Sequence, residues 1–374
     1  MKVVVIGAGV AGLSIGWRLA EAGAEVVVLE RARPGGAATW AAGGMIAAAA
    51  ENADATTPDA QFALRAASLW PDFAREIETR SSRSVSYRRD GSLLVATTPA
   101  HFDELRQRAG GNVSLLDTAE ARRLEPSLGE NIAGALFAPD DAQVDNRALG
   151  LALAYALVNA GGTLQINEAV VRLEMAGDRI RGARTPFSLH EGDAFVLAAG
   201  AWSGEMRGLP PDVLPPVIPV KGEMIAFQPA NDAGALPTRL LWGDGVYLIP
   251  RHDRLFVGAT ATREGFDTSL TDKASEWLAE HATNLMPALS RWSIAEHWAG
   301  LRPGSPDDLP IVGETALSGL FVASGQYRNG ILFAPAIADA LRSLILEHRS
   351  PPDIQAFDPK RFAGRGLATG IGVR

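Results

Sequence analysis

Near its start the chain reads Gly7-Ala8-Gly9-Val10-Ala11-Gly12, and the residues around these glycines leave few folds open. The β-branched run Lys2 to Ile6 precedes them, helical spacing runs from Val10 to Ala22, and Glu25 to Leu29 is a second buried-strand run. Strand, glycine turn, helix and strand make a β-α-β unit, whose strands belong in a parallel sheet. The glycines allow a tight turn and a close approach of main chain to a pyrophosphate, whose charge is favoured at the helix N-terminus. Glu30 closes the second strand, near the ~20-residue interval expected for the acid that holds a ribose hydroxyl. A dinucleotide site is therefore expected at Gly7, Gly9, Val10, Ala11, Gly12 and Glu30.

At 374 residues the chain is too long for one small module, and 47% hydrophobic with 21% charged residues excludes disorder. A formal charge of −8, with no basic block, has the wrong sign for following a phosphate backbone, so no nucleic-acid partner is expected. The absence of cysteine removes disulfides, thiolate nucleophiles and sulfur-tethered cofactors. Lys2 followed by an uncharged run resembles a secretion signal, but three glycines interrupt it, and no stretch reaches the ~18 apolar residues of a membrane span. A cytoplasmic protein without an integral membrane segment is expected, with a homo-oligomer as its working form.

The same strand-helix texture returns twice. Asn146 to Asn159 reads as a helix stopped by Gly161-Gly162, followed by strands at Thr163 to Asn167 and Ala194 to Leu197. Leu320 to Ala323 runs through Arg328-Asn329-Gly330 into a helix over Ala334 to Glu347. These three segments are expected to build one parallel sheet. Between them, turn signals such as Asp90-Gly91, Asp244-Gly245 and His252-Asp253 punctuate short alternating runs, and Val217 to Phe227, Val246 to Pro250 and Leu255 to Ala259 read as an antiparallel meander. The fold class is α/β plus α+β: a Rossmann-like cofactor domain (1–78, 142–208 and 301–364) with a mostly antiparallel substrate domain inserted (79–141 and 209–300), and a flexible tail over 365–374.

Only one glycine fingerprint follows a strand, since Gly364-Arg365-Gly366 lies in the tail. A single nucleotide site fits either NAD alone or FAD reduced directly by substrate. The small-residue stretch Gly35 to Met45 favours FAD, because it lets main chain lie along a planar cofactor.

Seven blocks in order carry a resemblance: the fingerprint ending in Glu30-Arg31, Thr39 to Met45 with Glu51 beyond it, Leu197 to Ser203, Pro219 to Glu223, Val246 to Arg251, Trp298 to Pro303, and Gly325 to Ile331. The sequence resembles the glycine oxidase family, within the D-amino-acid and sarcosine oxidase superfamily. That resemblance implies non-covalent FAD, a small amino-acid or amine substrate, molecular oxygen as acceptor with release of hydrogen peroxide, and in many bacteria a supply of imine for thiamine synthesis. It places Arg31 beside the adenosine ribose, Ala38, Thr39, Gly43, Gly44 and Met45 along the flavin, Val170 at adenine, and Gly200 at the cofactor. Gln326, Tyr327, Arg328, Asn329, Gly330, Ile331 and Leu332 would cover the ring. Arg302, Tyr247 and Arg328 match its substrate positions. Family members often carry histidine and methionine where this chain has Gly245 and Ala261, which implies a wider pocket mouth.

The chemistry agrees. A guanidinium fork grips a carboxylate bidentately, so Arg302 is the first candidate for the substrate clamp, with Tyr247 donating to the same group. Arg302 could instead pair with Asp307 or Asp308, and Arg328 could face either substrate or flavin. Hydride transfer from a neutral amine to flavin N5 needs orientation rather than a side-chain base, and Glu51 could position the amine through water. Ser14 in Gly12-Leu13-Ser14-Ile15-Gly16 imitates a hydrolase elbow but lies inside the first helix, and the histidines show no metal-ligand spacing. Asp140-Asp141 and Asp307-Asp308 are expected to cap turns. Two rivals stand beside the oxidase: a flavin dehydrogenase that feeds another carrier, and a non-catalytic flavoprotein.

Overall fold

The structure, a computed structural model, describes residues 1–51, 55–229 and 235–362; the tail 365–374 and its Gly364-Arg365-Gly366 lie outside them. The opening unit forms as its pattern predicts: strand β1 (Lys2–Ile6), helix α1 (Val10–Glu21) and strand β2 (Glu25–Glu30). They join a six-stranded sheet in the order Ile311–Glu314, Leu320–Ser324, Ala194–Leu197, β1, β2, Thr163–Ile166. The three expected segments are parallel throughout. The sheet as a whole is not, because Ile311–Glu314 turns back antiparallel on Leu320–Ser324.

Alternation along β1 explains the layers. Val3 and Val5 enter a core with α1 and the helices Pro58–Ser81, Asn146–Asn159 and Ala334–Glu347. Val4 and Ile6 face the other way, into a core shared with Leu173, Ile180 and Ala183 of a three-stranded sheet. A central strand apolar on both faces is what a doubly covered sheet requires.

The second sheet has eight strands, ordered Ser293–Gly304, Ile218–Gln228, Leu255–Gly258, Val246–Pro250, Leu240–Gly243, Ser92–Ala96, Gly134–Ala138 and Ser114–Leu116. Only the join between Leu240–Gly243 and Ser92–Ala96 is parallel. The Asp244-Gly245 hairpin turn holds both residues at positive φ, 50° and 79°, as a primed turn demands. Two expected boundaries fall inside elements: helix Pro58–Ser81 runs past 78, and strand Ser293–Gly304 carries Arg302 as part of the antiparallel sheet.

Candidate active site

A cavity of about 760 Å³ runs from the C-terminal ends of β1 and β2 to the inner face of the eight-stranded sheet. At its first end the fingerprint glycines divide the work. A Cβ on Gly7 would stand 2.5 Å from the Ala198 carbonyl oxygen, and one on Gly12 only 2.0 Å from that of Gly7. Both are required by backbone packing. Gly9 differs: a Cβ there would meet only the Thr39 hydroxyl, at 3.5 Å, and Gly9 lines the cavity together with Gly7, Val10 and Ala11. Gly12 does not line the cavity. What the structure gives Gly12 is a packing role: it sets how closely α1 packs on the strand-to-helix turn.

The Glu30 carboxylate accepts from the backbone N–H of Ala8 at 2.8 Å and of Ala32 at 3.0 Å, which fixes it in the lining of the cavity. Arg31 is exposed, with its guanidinium 3.5 Å over the Trp202 ring. Val170 and Gly200 line the same end.

The small-residue stretch becomes a one-turn helix α2 (Ala38–Ala41) followed by Ala42 to Met45, and Ala38, Thr39, Gly43, Gly44 and Met45 all face the cavity. Thr39 accepts from the Val10 N–H at 2.9 Å, tying this floor to the start of α1. Opposite it, Gln326 to Leu332 form the other wall. The Tyr327 N–H donates to the Pro303 carbonyl at 2.9 Å, so the wall is pinned beside Arg302. Gln326 is 6% exposed, and its Nε2 is buried with no hydrogen-bond partner among the described residues. A flat, glycine-lined slot with an orphaned amide is a fit for a planar group rich in acceptors.

At the far end Arg302 and Tyr247 line the cavity with Met224, Trp242 and Leu94. The Arg302 guanidinium lies across Gly222, where a Cβ would fall 2.3 Å from Nη1, and Nη1 donates to the Thr260 carbonyl at 3.0 Å. No carboxylate among the described residues lies within ion-pair distance of it. Asp307 pairs instead with Arg361 at 2.8 Å, so the salt-bridge alternative for Arg302 falls away. Tyr247 packs over Gly258, its hydroxyl 3.9 Å from the Met224 sulfur.

Arg328 donates to Glu51 at 3.0 Å. Burial raises the Glu51 carboxyl above the usual carboxylate range, and Arg328 and Arg108 only partly offset this. Arg328 thus has a carboxylate partner already, which neither of its expected roles anticipated. Glu51 sits on α3 (Ala48–Glu51), and the buried Asp141 accepts from the Ala49 N–H at 2.9 Å, the Ala50 N–H and the Ser92 hydroxyl. Asp141 therefore anchors α3, and the expectation of a simple turn cap is corrected: it is only 1% exposed and works across chain segments far apart in sequence. Asp140 beside it is surface-facing, bonded to Arg89 and Asn112.

Sequence reasoning missed several neighbours. Trp242, Met224 and Leu94 furnish the apolar wall, and the Trp242 indole nitrogen is buried with no partner among the described residues. Only Met224 lies in a run read as a strand from sequence, and in these strands, buried along most of their length, nothing local distinguishes a cavity-facing position from a core-facing one.

A mostly parallel sheet with a dinucleotide slot at its carboxyl edge, opening under a second sheet onto a guanidinium with no carboxylate partner among the described residues, defines a flavin-dependent oxidoreductase. The family described as "DAO: FAD dependent oxidoreductase" matches residues 2–344. The chain is 32% identical to a glycine oxidase of Geobacillus kaustophilus over 97% of both proteins. It superposes on a crystal structure of glycine oxidase from that organism with a TM-score of 0.88 and 31% identity, covering 99% of this chain and 100% of the other. It is also 34% identical to a "Bifunctional protein ThiO/ThiG" of Trichormus variabilis over 98% of its own length, but spans only 56% of that protein. The chain belongs to the DAO family of FAD-dependent oxidoreductases, and its cofactor is FAD. No helix among the described residues is long and apolar enough to cross a membrane.

Proposed function

We propose that the protein oxidises small amino acids and related amines, glycine, sarcosine and small D-amino acids among them. The observation that carries this reading is Arg302: a cation in a largely apolar cavity, held by Thr260 and Gly222 and facing no carboxylate among the described residues. Such a group favours an anionic ligand, and its fork matches a carboxylate in two hydrogen bonds. Tyr247 supplies a further donor on the same side. The FAD that Ala38 to Met45 and Gln326 to Leu332 would hold would supply the acceptor for a hydride from the substrate carbon. This chain's residues bind the carboxylate, orient the amine and exclude water; no side-chain base is needed. Arg328 and Glu51 stand at the rim as a pair, and the pair, rather than either residue singly, meets the amine end.

Oxygen as electron acceptor, the cytoplasm as compartment and a homo-oligomer as working form complete the reading. Gly245 and Ala261 both line the cavity, which supports acceptance of amines larger than glycine. Anaerobic titration with a panel of small amines, followed at the flavin absorption band, tests it: bleaching is expected, and a flavin that none of them bleaches would leave the protein a non-catalytic flavoprotein. Air should then restore the colour with release of peroxide; recolouring only by an added carrier would make it a dehydrogenase. Arg302→Leu should stay yellow and lose turnover.

A further inference from the structure

The floor of the cofactor slot is held by its carbonyls. Asn146, fully buried at the start of helix Asn146–Asn159, donates through Nδ2 to the carbonyls of Thr39 at 2.9 Å and Trp40 at 2.8 Å. The Trp298 indole N–H donates to the next carbonyl, of Ala41, at 3.0 Å. The Arg251 guanidinium donates to the carbonyl of Gly43, and to Val144 at 3.0 Å and the Gln143 amide oxygen at 2.7 Å. Burial pulls that guanidinium down to about 10.

A single helical turn cannot hold itself, because nucleation costs more than one hydrogen bond returns. α2 also lacks a side-chain cap at its N-terminus. Its geometry must come from outside, and two of its three holders, Arg251 and Trp298, belong to the eight-stranded sheet or the turn that follows it. Gly300 brings the same strand so close that a Cβ would lie 2.4 Å from the Ala41 methyl.

We propose that Asn146, Trp298 and Arg251 are positioning residues for the cofactor: they touch the floor's carbonyls, not the flavin, and pre-form the surface on which FAD lies. Tight FAD binding then depends on the substrate sheet, because a floor ordered only on binding would draw that ordering from the affinity. This rests on the assignment of residues 38–45 as the flavin floor and is independent of which amine is oxidised.

The experiment measures the dissociation constant of apo-protein for FAD by fluorescence quenching, with the visible circular dichroism of the bound flavin, in Trp298→Phe and Asn146→Leu. Both keep much of the side-chain volume and remove the donor. Each should weaken FAD roughly tenfold, about 1.4 kcal/mol, and alter the flavin dichroism. Leu285→Ala, a core truncation on the far side of the eight-stranded sheet, should lower the melting temperature and leave FAD affinity unchanged. Ala42→Leu fills the slot itself and should weaken FAD. Unchanged affinity in both donor variants while Ala42→Leu weakens FAD would overturn the proposal and spare the floor assignment. Equal weakening by Leu285→Ala would overturn it as a general stability effect, and no effect in any variant, Ala42→Leu included, would remove both.

Discussion

Single residues in this site divide into those the backbone needs and those the ligand needs, and the two kinds can look alike in sequence. Gly9 and Gly12 belong to one motif, yet only Gly9 has room for a side chain on the protein's side. Gly9→Val should give folded, colourless protein, whereas Gly12→Val should fail to fold, because a Cβ there meets backbone rather than a movable side chain; melting curves and flavin absorbance separate the two. Asp141 carries a pH signature. Burial lifts its carboxyl from 3.8 to about 6, against hydrogen bonds from Ser92, Ala49 and Ala50 and with a small push from Glu51. The folded chain therefore holds a proton that the unfolded chain releases, so this residue's contribution to stability is greatest below about pH 4 and is lost as pH rises through about 6. The stability of the wild type relative to Asp141→Asn should fall by about 2 kcal/mol between pH 4 and 7, read from urea unfolding; a difference independent of pH would contradict it.

At the scale of elements, strand Ser293–Gly304 does most to assemble the site, since its register places Trp298, Gly300 and Arg302 on one face. Diagonal to Arg302 on the neighbouring strand is Gly222, which pairs with Gly300, and a Cβ there would collide with the end of the Arg302 side chain rather than with main chain. Gly222→Ala should thus fold and keep FAD while displacing the guanidinium, raising KM for the amine by roughly tenfold or more; steady-state kinetics on flavin-replete enzyme would show it. The central strands were legible because β-branched runs buried on both faces leave a plain signature, and α1 and the helix Ala334–Glu347 because their apolar positions recur at helical spacing. The edge strand Ile311–Glu314 was not, because four residues are too few to show a pattern, even though it pairs with the next strand along the chain. Neither were α2 and α3, since a single turn has no periodicity to read and stands only by tertiary bonds. The three-stranded sheet, with Arg172, Arg179, Arg181 and Arg184 along it, hides its few inward residues among charges.

For the whole molecule, the slot and the clamp meet in one cavity although they belong to different sheets, and residue type alone could name Arg302, Tyr247 and Glu30 without saying how they face one another. The pairing of Arg328 with Glu51 and the anchoring role of Asp141 arise only from the folding together of segments distant in sequence. The width of the mouth is a property at this scale. Ala261→Met should narrow it and lower kcat/KM for larger amines several-fold more than for glycine; equal loss on all substrates would argue that the side chain does not reach the channel. Gly245 offers no such handle, because its positive φ penalises any side chain there.

The parallel junction between Leu240–Gly243 and Ser92–Ala96 has a practical outcome for engineering. It welds two stretches of chain, separated in sequence by one of the three segments of the nucleotide-binding half, into one continuous surface above the reaction chamber. Transplanting the recognition half onto a related scaffold therefore means moving both stretches together, since either alone would leave a row of main-chain amides and carbonyls at the seam with nothing to bind.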